Sequence, residues 1–170
     1  MKVISANLNG IRSATQKGFF DWLAAECADI VCIQELKAQQ TDLPAHILAP
    51  NGWHGVFSCA DKKGYSGVAI YSRQAPDAVR IGFGSEEFDA EGRLIAADFG
   101  TLTVVSLYLP SGSSSPERQA AKFRCLAALR PVLQQWLASH RTFLLCGDWN
   151  IAHTSLDLKN WRANQKNSGF

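Results

Sequence analysis

The stretch TFLLCGDWN, residues 142–150, changes character in the middle: four apolar residues, Phe143 to Cys146, run into Gly147 and then into Asp148 and Asn150. A run that short, flanked by polar residues and a glycine, reads as a buried strand rather than a helix. The same pattern occurs twice earlier, in KVISANLN (2–9), which runs into Asn7 and Asn9, and in DIVCIQE (29–35), which runs into Gln34 and Glu35. A fourth β-rich run ends at Tyr108. If these strands lie side by side in sheets, Asn7, Glu35, Asp148 and Asn150 converge at one rim.

Working outward from those strands, Phe19, Trp22, Leu23 and Cys27 recur at helical spacing and predict an amphipathic helix over residues 17–26. The first unit is therefore strand, helix, strand. The middle of the chain is β-rich at 55–59, 67–72, 94–99 and 102–109, with Gly, Pro and charged turns between the runs, which predicts antiparallel pairing. Ser115-Pro116-Glu117 is a helix start, with Pro at the first helical position and an acid in the first turn. Phe123, Leu126, Ala127, Leu133 and Leu137 continue its apolar face, and Pro131 is expected to kink or split that helix. Helices alternating with short strands around an antiparallel middle give a layered α/β sandwich.

The chain has 170 residues, 46% apolar and 19% charged, which suits one globular domain over residues 1–170 and excludes disordered, collagenous and coiled-coil classes. With 17 Lys+Arg against 15 Asp+Glu the formal charge is +2, too small for a basic nucleic-acid coat or a polybasic membrane anchor. Any contact with nucleic acid must come from locally placed cations. Five cysteines (Cys27, Cys32, Cys59, Cys125, Cys146) form no Cys-x-x-Cys pair and read as buried thiols of a reducing compartment. No secretory signal opens the sequence and no apolar run approaches a membrane span, so a cytoplasmic address is expected.

The rim residues carry side-chain oxygens, the hard donors that Mg²⁺ prefers, and neither Cys nor His joins them, which argues against zinc. An oxygen-lined divalent site with few carboxylates suits phosphoryl transfer or phosphodiester hydrolysis. Any one of the strand endings is equally an ordinary turn, in which Asp or Asn bonds its own backbone. Their recurrence at three strand ends, with a tyrosine at the fourth, is what favours the metal reading.

Six blocks then carry a resemblance: ANLNGIR (6–12), VCIQELK (31–37), GYSGVAIYSR (64–73), EGRLI (91–95), YLPSG (108–112) and GDWNIAHTSLDLKNW (147–161). In order and spacing they resemble the exonuclease III family of AP endonucleases, within the endonuclease/exonuclease/phosphatase superfamily. The resemblance implies two mixed, largely antiparallel sheets flanked by helices. It also implies a hydrolase dependent on Mg²⁺, with Mn²⁺ as a substitute, that cuts double-stranded DNA on the 5′ side of abasic sites and acts at 3′ ends as a 3′-to-5′ exonuclease or repair enzyme. Carried over by motif, Glu35 is the principal metal-binding carboxylate and Asn7 lies beside the ion. Asp148 orients and deprotonates the attacking water, Asn150 positions Asp148 and touches the phosphate, and Tyr108 donates to the phosphate or leaving oxygen. Asn7, Glu35, Asp148 and Asn150 form the implied metal set. Arg12, Lys17, Tyr65 and Arg93 are the implied DNA contacts, and a monomer is implied. Other branches of the superfamily act on RNA, inositol phosphates or phospholipids, and a non-catalytic DNA-binding remnant is the reading outside enzymology.

Family members carry later Arg-x-Asp-Tyr and Ser-Asp-His segments that this sequence lacks; none of its four histidines follows an aspartate. The expectation is therefore a domain whose C-terminal part is missing, with the second sheet incomplete and most transition-state stabilisation lost. An unpaired strand edge and an apolar face are expected to leave the chain marginal or aggregation-prone. Sedimentation and thermal melting check this: a cooperative, monomeric melt like that of longer relatives contradicts it.

Overall fold

The computed structural model describes residues 1–112, 115–165 and 169. Eight strands form two four-stranded sheets. The first contains β1 (Val3–Asn7), β2 (Ile30–Gln34), β3 (His54–Ser58) and β4 (Val68–Ser72), in the order β1-β2-β4-β3. The second contains β5 (Ala78–Ile81), β6 (Leu94–Phe99), β7 (Leu102–Tyr108) and β8 (Thr142–Asp148), in sequence order. Strands β1 and β2 are parallel, as are β7 and β8, and the other four pairings are antiparallel. The sheets are mixed and largely antiparallel, as expected.

Each parallel pair needs a crossover, and the crossovers supply the outer layers. Between β1 and β2 lie α1 (Ile11–Gln16) and α2 (Phe19–Ala25); between β7 and β8 lies α5 (Pro116–Leu137). Short helices α3 (Ala45–Leu48), α4 (Glu86–Asp89) and α6 (Trp161–Asn164) punctuate the loops. The expected helix over 17–26 is α2, which starts directly after Gly18, whose φ of +85° is a left-handed conformation that glycine adopts without strain. Of the kink or split expected at Pro131, the split does not occur: α5 runs through it for 22 residues. The carbonyl that Pro131 cannot serve belongs to Ala127, on the exposed side, where water can satisfy it.

Side-chain alternation explains the near-continuous apolar strands. On β2, Ile30 and Cys32 point between the sheets and meet Ile70, Ile95 and Val104, whereas Val31 and Ile33 point outward and pack with Ile11 and Leu23. On the second sheet, Leu94, Ala96, Val105 and Leu107 face outward onto Cys125 and Leu129 of α5. The four layers are thus helix, sheet, sheet, helix. All five cysteines are free thiols, and Cys27 departs from the expectation by being exposed. Among the described residues, strand β8 pairs only with β7, and Leu144 on it is 39% exposed. No helix among the described residues is long and apolar enough to cross a membrane.

At the sheet end away from Asn7 and Glu35, Asp98 on β6 accepts two hydrogen bonds from the Arg80 guanidinium (2.7 and 2.8 Å) and one from the Thr103 hydroxyl (2.6 Å). Arg80 holds the Asp98 carboxyl down at about 2, against the opposing pull of burial, with Thr103 and Arg141 adding to the effect. Because this pKa is depressed on folding, the stabilisation is complete above the unfolded value near ~4 and is lost as pH falls towards about 2. Asp98→Asn is expected to cost on the order of 1–2 kcal/mol at pH 7 and almost nothing at pH 2, read by urea unfolding at both pH values.

Candidate active site

The expected rim exists. Strands β1, β2, β7 and β8 end together, and the register places Asn7 opposite Gln34 and Tyr108 opposite Asp148. The backbone keeps pairing past the strand ends: Leu8 N–H donates to Gln34 (3.0 Å), Gly10 N–H to Glu35 (2.7 Å) and Leu109 N–H to Asp148 (3.0 Å). The loops that follow are therefore held, not free. Gly147 is obligatory at the approach to Asp148, because a Cβ there would lie 2.1 Å from the Leu107 carbonyl oxygen of the neighbouring parallel strand. Four non-glycine residues of this rim have left-handed backbone: Asn9 (φ 49°), Glu35 (φ 56°), Lys37 (φ 49°) and Asn150 (φ 51°). Such conformations are costly for residues with a Cβ and collect where side chains must be aimed.

The centre of the site is the Asn7 amide. Its Nδ2 donates to Glu35 Oε1 at 2.9 Å and to Asp148 Oδ2 at 2.9 Å, so one side chain ties a carboxylate of the first sheet to a carboxylate of the second. Its Oδ1 accepts from the Asn9 N–H at 2.9 Å. Burial pulls the Glu35 carboxyl upward, but hydrogen bonds from Asn7, Lys37 and Tyr108 outweigh it and leave the pKa below the ordinary value. Glu35 is therefore ionised at neutral pH. Tyr108 is the converse case: burial first, then the charge and hydrogen bond of Glu35, push its phenol up, so it stays protonated and remains a donor. Asp148 Oδ1 accepts from the Asn150 N–H (2.9 Å) in an Asx turn, and Asn150 Nδ2 donates to the Leu109 carbonyl (2.8 Å). The turn reading is thus met by Asp148 and Asn150, and the same two residues stand at the rim.

The donor set can be tested for Mg²⁺ on its chemistry. Glu35 and Asp148 offer two hard carboxylates to one point, and among the described residues no group of three His, Cys, Asp or Glu assembles into a protein cage. Mg²⁺ is commonly held through one or two carboxylates while keeping several waters, so the residues fit. Asn7 faces both carboxylates with nitrogen; to offer oxygen to a cation its amide must turn over and give up the Asn9 contact.

The implied DNA contacts divide. Arg12 on α1 and Lys17 at its end are exposed and, among the described residues, in no ion pair, so both are available. Tyr65 is half-buried in the loop before β4. Arg93 departs from the expectation. It is 1% exposed, its Nε is ion-paired to Glu91 (2.5 Å), Nη1 donates to the Tyr108 carbonyl (2.9 Å) and Nη2 to the Tyr65 hydroxyl (2.9 Å). It presents no guanidinium surface; it positions Tyr65 and Tyr108.

Three residues of this region were not singled out from the sequence. Lys37 places its ammonium on Glu35 (2.7 Å) and on the Asn9 amide oxygen, so it is the cation that Glu35 holds here. Lys122 on α5 is 2% exposed and donates to the Asn150 carbonyl at 2.6 Å, pinning the strained turn; burial lowers its pKa while Asp148 opposes that shift. A signal existed, since Lys122 shares the buried helix face with Cys125 and Leu129. Arg118, one turn earlier, donates to the Tyr65 hydroxyl at 2.9 Å.

Comparison with known proteins shows the family and the fold. The family model described as endonuclease/exonuclease/phosphatase matches residues 4–169. The chain is 40% identical to an exodeoxyribonuclease of Bacillus subtilis over 171 aligned positions, covering 100% of this chain and 66% of that protein. It is 39% identical to the DNA repair nuclease APEX1 of Danio rerio, covering 100% of this chain and 55% of that one. Among solved structures, a 3′-5′ exonuclease of Neisseria meningitidis superposes with a TM-score of 0.87 at 31% identity, covering 99% of this chain and 65% of that chain. The chain thus spans between about half and two thirds of the length of these proteins.

The burial of Arg93 and the exposure of Arg12 and Lys17 predict different responses to removal. Arg93→Met strands the Glu91 carboxylate, the Tyr108 carbonyl and the Tyr65 hydroxyl, and is expected to cost on the order of 2–4 kcal/mol in urea unfolding. Arg12→Ala and Lys17→Ala are expected to leave the unfolding midpoint unchanged.

Proposed function

The chain belongs to the endonuclease/exonuclease/phosphatase family, and from that premise we propose that its site serves a Mg²⁺-dependent DNA repair nuclease. The bond it attacks is the phosphodiester 5′ to an abasic site, and 3′ ends of duplex DNA are its second class of substrate. The observation that carries this reading is the meeting of Asn7, Glu35, Tyr108, Asp148 and Asn150 at one rim, drawn from four strands of two sheets. Support for DNA over other phosphodiesters comes from the relatives, whose names are those of an exodeoxyribonuclease and a DNA repair nuclease.

Glu35 and Asp148, with the Asn7 and Asn150 amides beside them, would hold Mg²⁺, whose chemistry there would be charge neutralisation on the phosphate and a lowered pKa for water. The side chains do the rest. Asp148, fixed by Asn7 on one oxygen and by the Asn150 N–H on the other, orients a water and accepts its proton. Tyr108, kept protonated by burial and by Glu35, donates its hydroxyl to a non-bridging phosphate oxygen, where negative charge grows in the transition state. Lys122 and Arg93 act from behind: one secures the Asn150 turn, the other secures the Tyr108 backbone. A stretched or flipped-out abasic sugar, lacking a base to unstack, is the substrate least costly to bring to such a rim.

The test is a nicking assay on a duplex with a single abasic site, run beside the undamaged duplex and inositol phosphates. A Mg²⁺-dependent nick 5′ to the lesion that EDTA removes is expected. Asp148→Asn is expected to lower the single-turnover rate by at least about 10³-fold and Tyr108→Phe by about 10²-fold or more. Hydrolysis of inositol phosphates in preference to abasic DNA, or a nick that survives Asp148→Asn, overturns the reading.

A further inference from the structure

The nuclease reading leaves one charge at the rim without a part, the Lys37 ammonium. It closes a ring of hydrogen bonds that begins and ends on Glu35. Asn7 Nδ2 donates to Glu35 Oε1 (2.9 Å), Asn7 Oδ1 accepts from the Asn9 N–H (2.9 Å), Asn9 Oδ1 accepts from Lys37 Nζ, and Lys37 Nζ lies 2.7 Å from Glu35 Oε2. Three of the four residues in this ring, Asn9, Glu35 and Lys37, have left-handed backbone. That strain is held in place: the Gly10 N–H donates to the Glu35 carbonyl (2.7 Å), the Leu36 N–H to Gly67 (3.1 Å) and the Lys37 N–H to Ser66 (2.8 Å), while Leu36 is fully buried. The backbone therefore turns Lys37 back over Glu35. The pair is also shielded, its side chains 36% and 16% exposed against 47% and 48% for the surface pair of Arg124 and Glu87. The discount that applies to ordinary surface ion pairs is smaller here.

We propose that Lys37 is the resident counter-ion of the rim and that Mg²⁺ reaches Glu35 only by exchange with it, a proposal that rests on the Mg²⁺ reading of the site. Glu35 accepts from Asn7, Lys37 and Tyr108, which fills most of the positions that a carboxylate offers. Of these three donors Lys37 alone is charged, so it is the one that a divalent cation repels. Its departure also releases the Asn9 side chain, and with it the segment whose N–H holds the Asn7 oxygen away from the carboxylates. Lys37 thus governs two residues of the metal set at once. Its effect on the ion is a matter of occupancy: a carboxylate held by the ammonium about nine-tenths of the time shows an apparent affinity about tenfold weaker than its intrinsic one.

The experiment is isothermal titration calorimetry of Mg²⁺ into the full chain, stripped of metal and free of DNA, at constant ionic strength. Lys37→Met is expected to tighten Mg²⁺ binding about tenfold or more, and Lys37→Arg, which returns a cation to Glu35, to stay within about threefold of wild type. Lys37→Gly removes the same charge while suiting the left-handed backbone, and replaces the methionine variant should that one fail to fold. Arg130→Ala, which removes an exposed cation of α5 away from the rim, is expected to change the affinity by less than about twofold. In the wild-type chain carrying ¹³C-labelled lysine, the Cε resonance that Lys37→Arg lacks is expected to shift with the calorimetric midpoint. Unchanged Mg²⁺ affinity in Lys37→Met and Lys37→Gly, or a Cε resonance that Mg²⁺ leaves in place, overturns the exchange while leaving the nuclease reading standing. Absence of Mg²⁺ binding in the wild type and in every Lys37 variant overturns the Mg²⁺ reading with it.

Discussion

The amide of Asn7 is the point at which the two sheets become one site. Sheet-on-sheet packing through Cys32, Ile70, Ile95 and Val104 is apolar and without direction, so it brings the strand ends close without fixing where their side chains point. Directional bonds settle that. Asn7 spans from Glu35 to Asp148, and below it Gln34 donates to Ser106 across the same gap (3.2 Å) while Ser106 donates back to the Ile33 carbonyl (3.1 Å). The Asn7 bonds lie at the exposed rim, whereas those of Gln34 and Ser106 are buried, carry more weight there and leave an orphan if a partner is removed.

Around that tie the site is built in two depths. The outer depth holds the groups that meet at the rim, Glu35, Tyr108 and Asp148. Behind them stand charged side chains that water hardly reaches, Arg93 and Lys122, whose partners are backbone carbonyls at the turns bearing Tyr108 and Asn150. Burying a cation is costly unless it is bonded, and here each is bonded to a segment that must not move. Left-handed backbone at Glu35 and Asn150 is maintained by this same framework.

Much of this was legible in the residues. The apolar runs located β1, β2, β4, β6, β7 and β8; of these, β2, β4, β6 and β7 are buried on both faces, lose their alternation and stand out as short continuous stretches. The polar residues at their ends identified the rim, since only a shared strand end puts four oxygen-bearing side chains into one place. The edge strand β5 was not legible: its four residues are all exposed, so no burial pattern marks it. The continuity of α5 through Pro131 was not legible for a related reason, as it depends on which side of the helix faces water.

The sequence by itself determined the layered architecture, the family and the identity of the rim residues, because these follow from local pattern and from motifs of adjacent residues. Which charges meet solvent was decided only by the tertiary structure. Arg93 and Arg118 are both arginines near loops, and nothing in their neighbours tells them apart. The packing of α5 against the second sheet leaves Arg93 1% exposed behind Tyr108 and gives Arg118 the outer side of Tyr65. Burial depends on segments distant in the chain, and Arg93 lies 25 residues before Arg118.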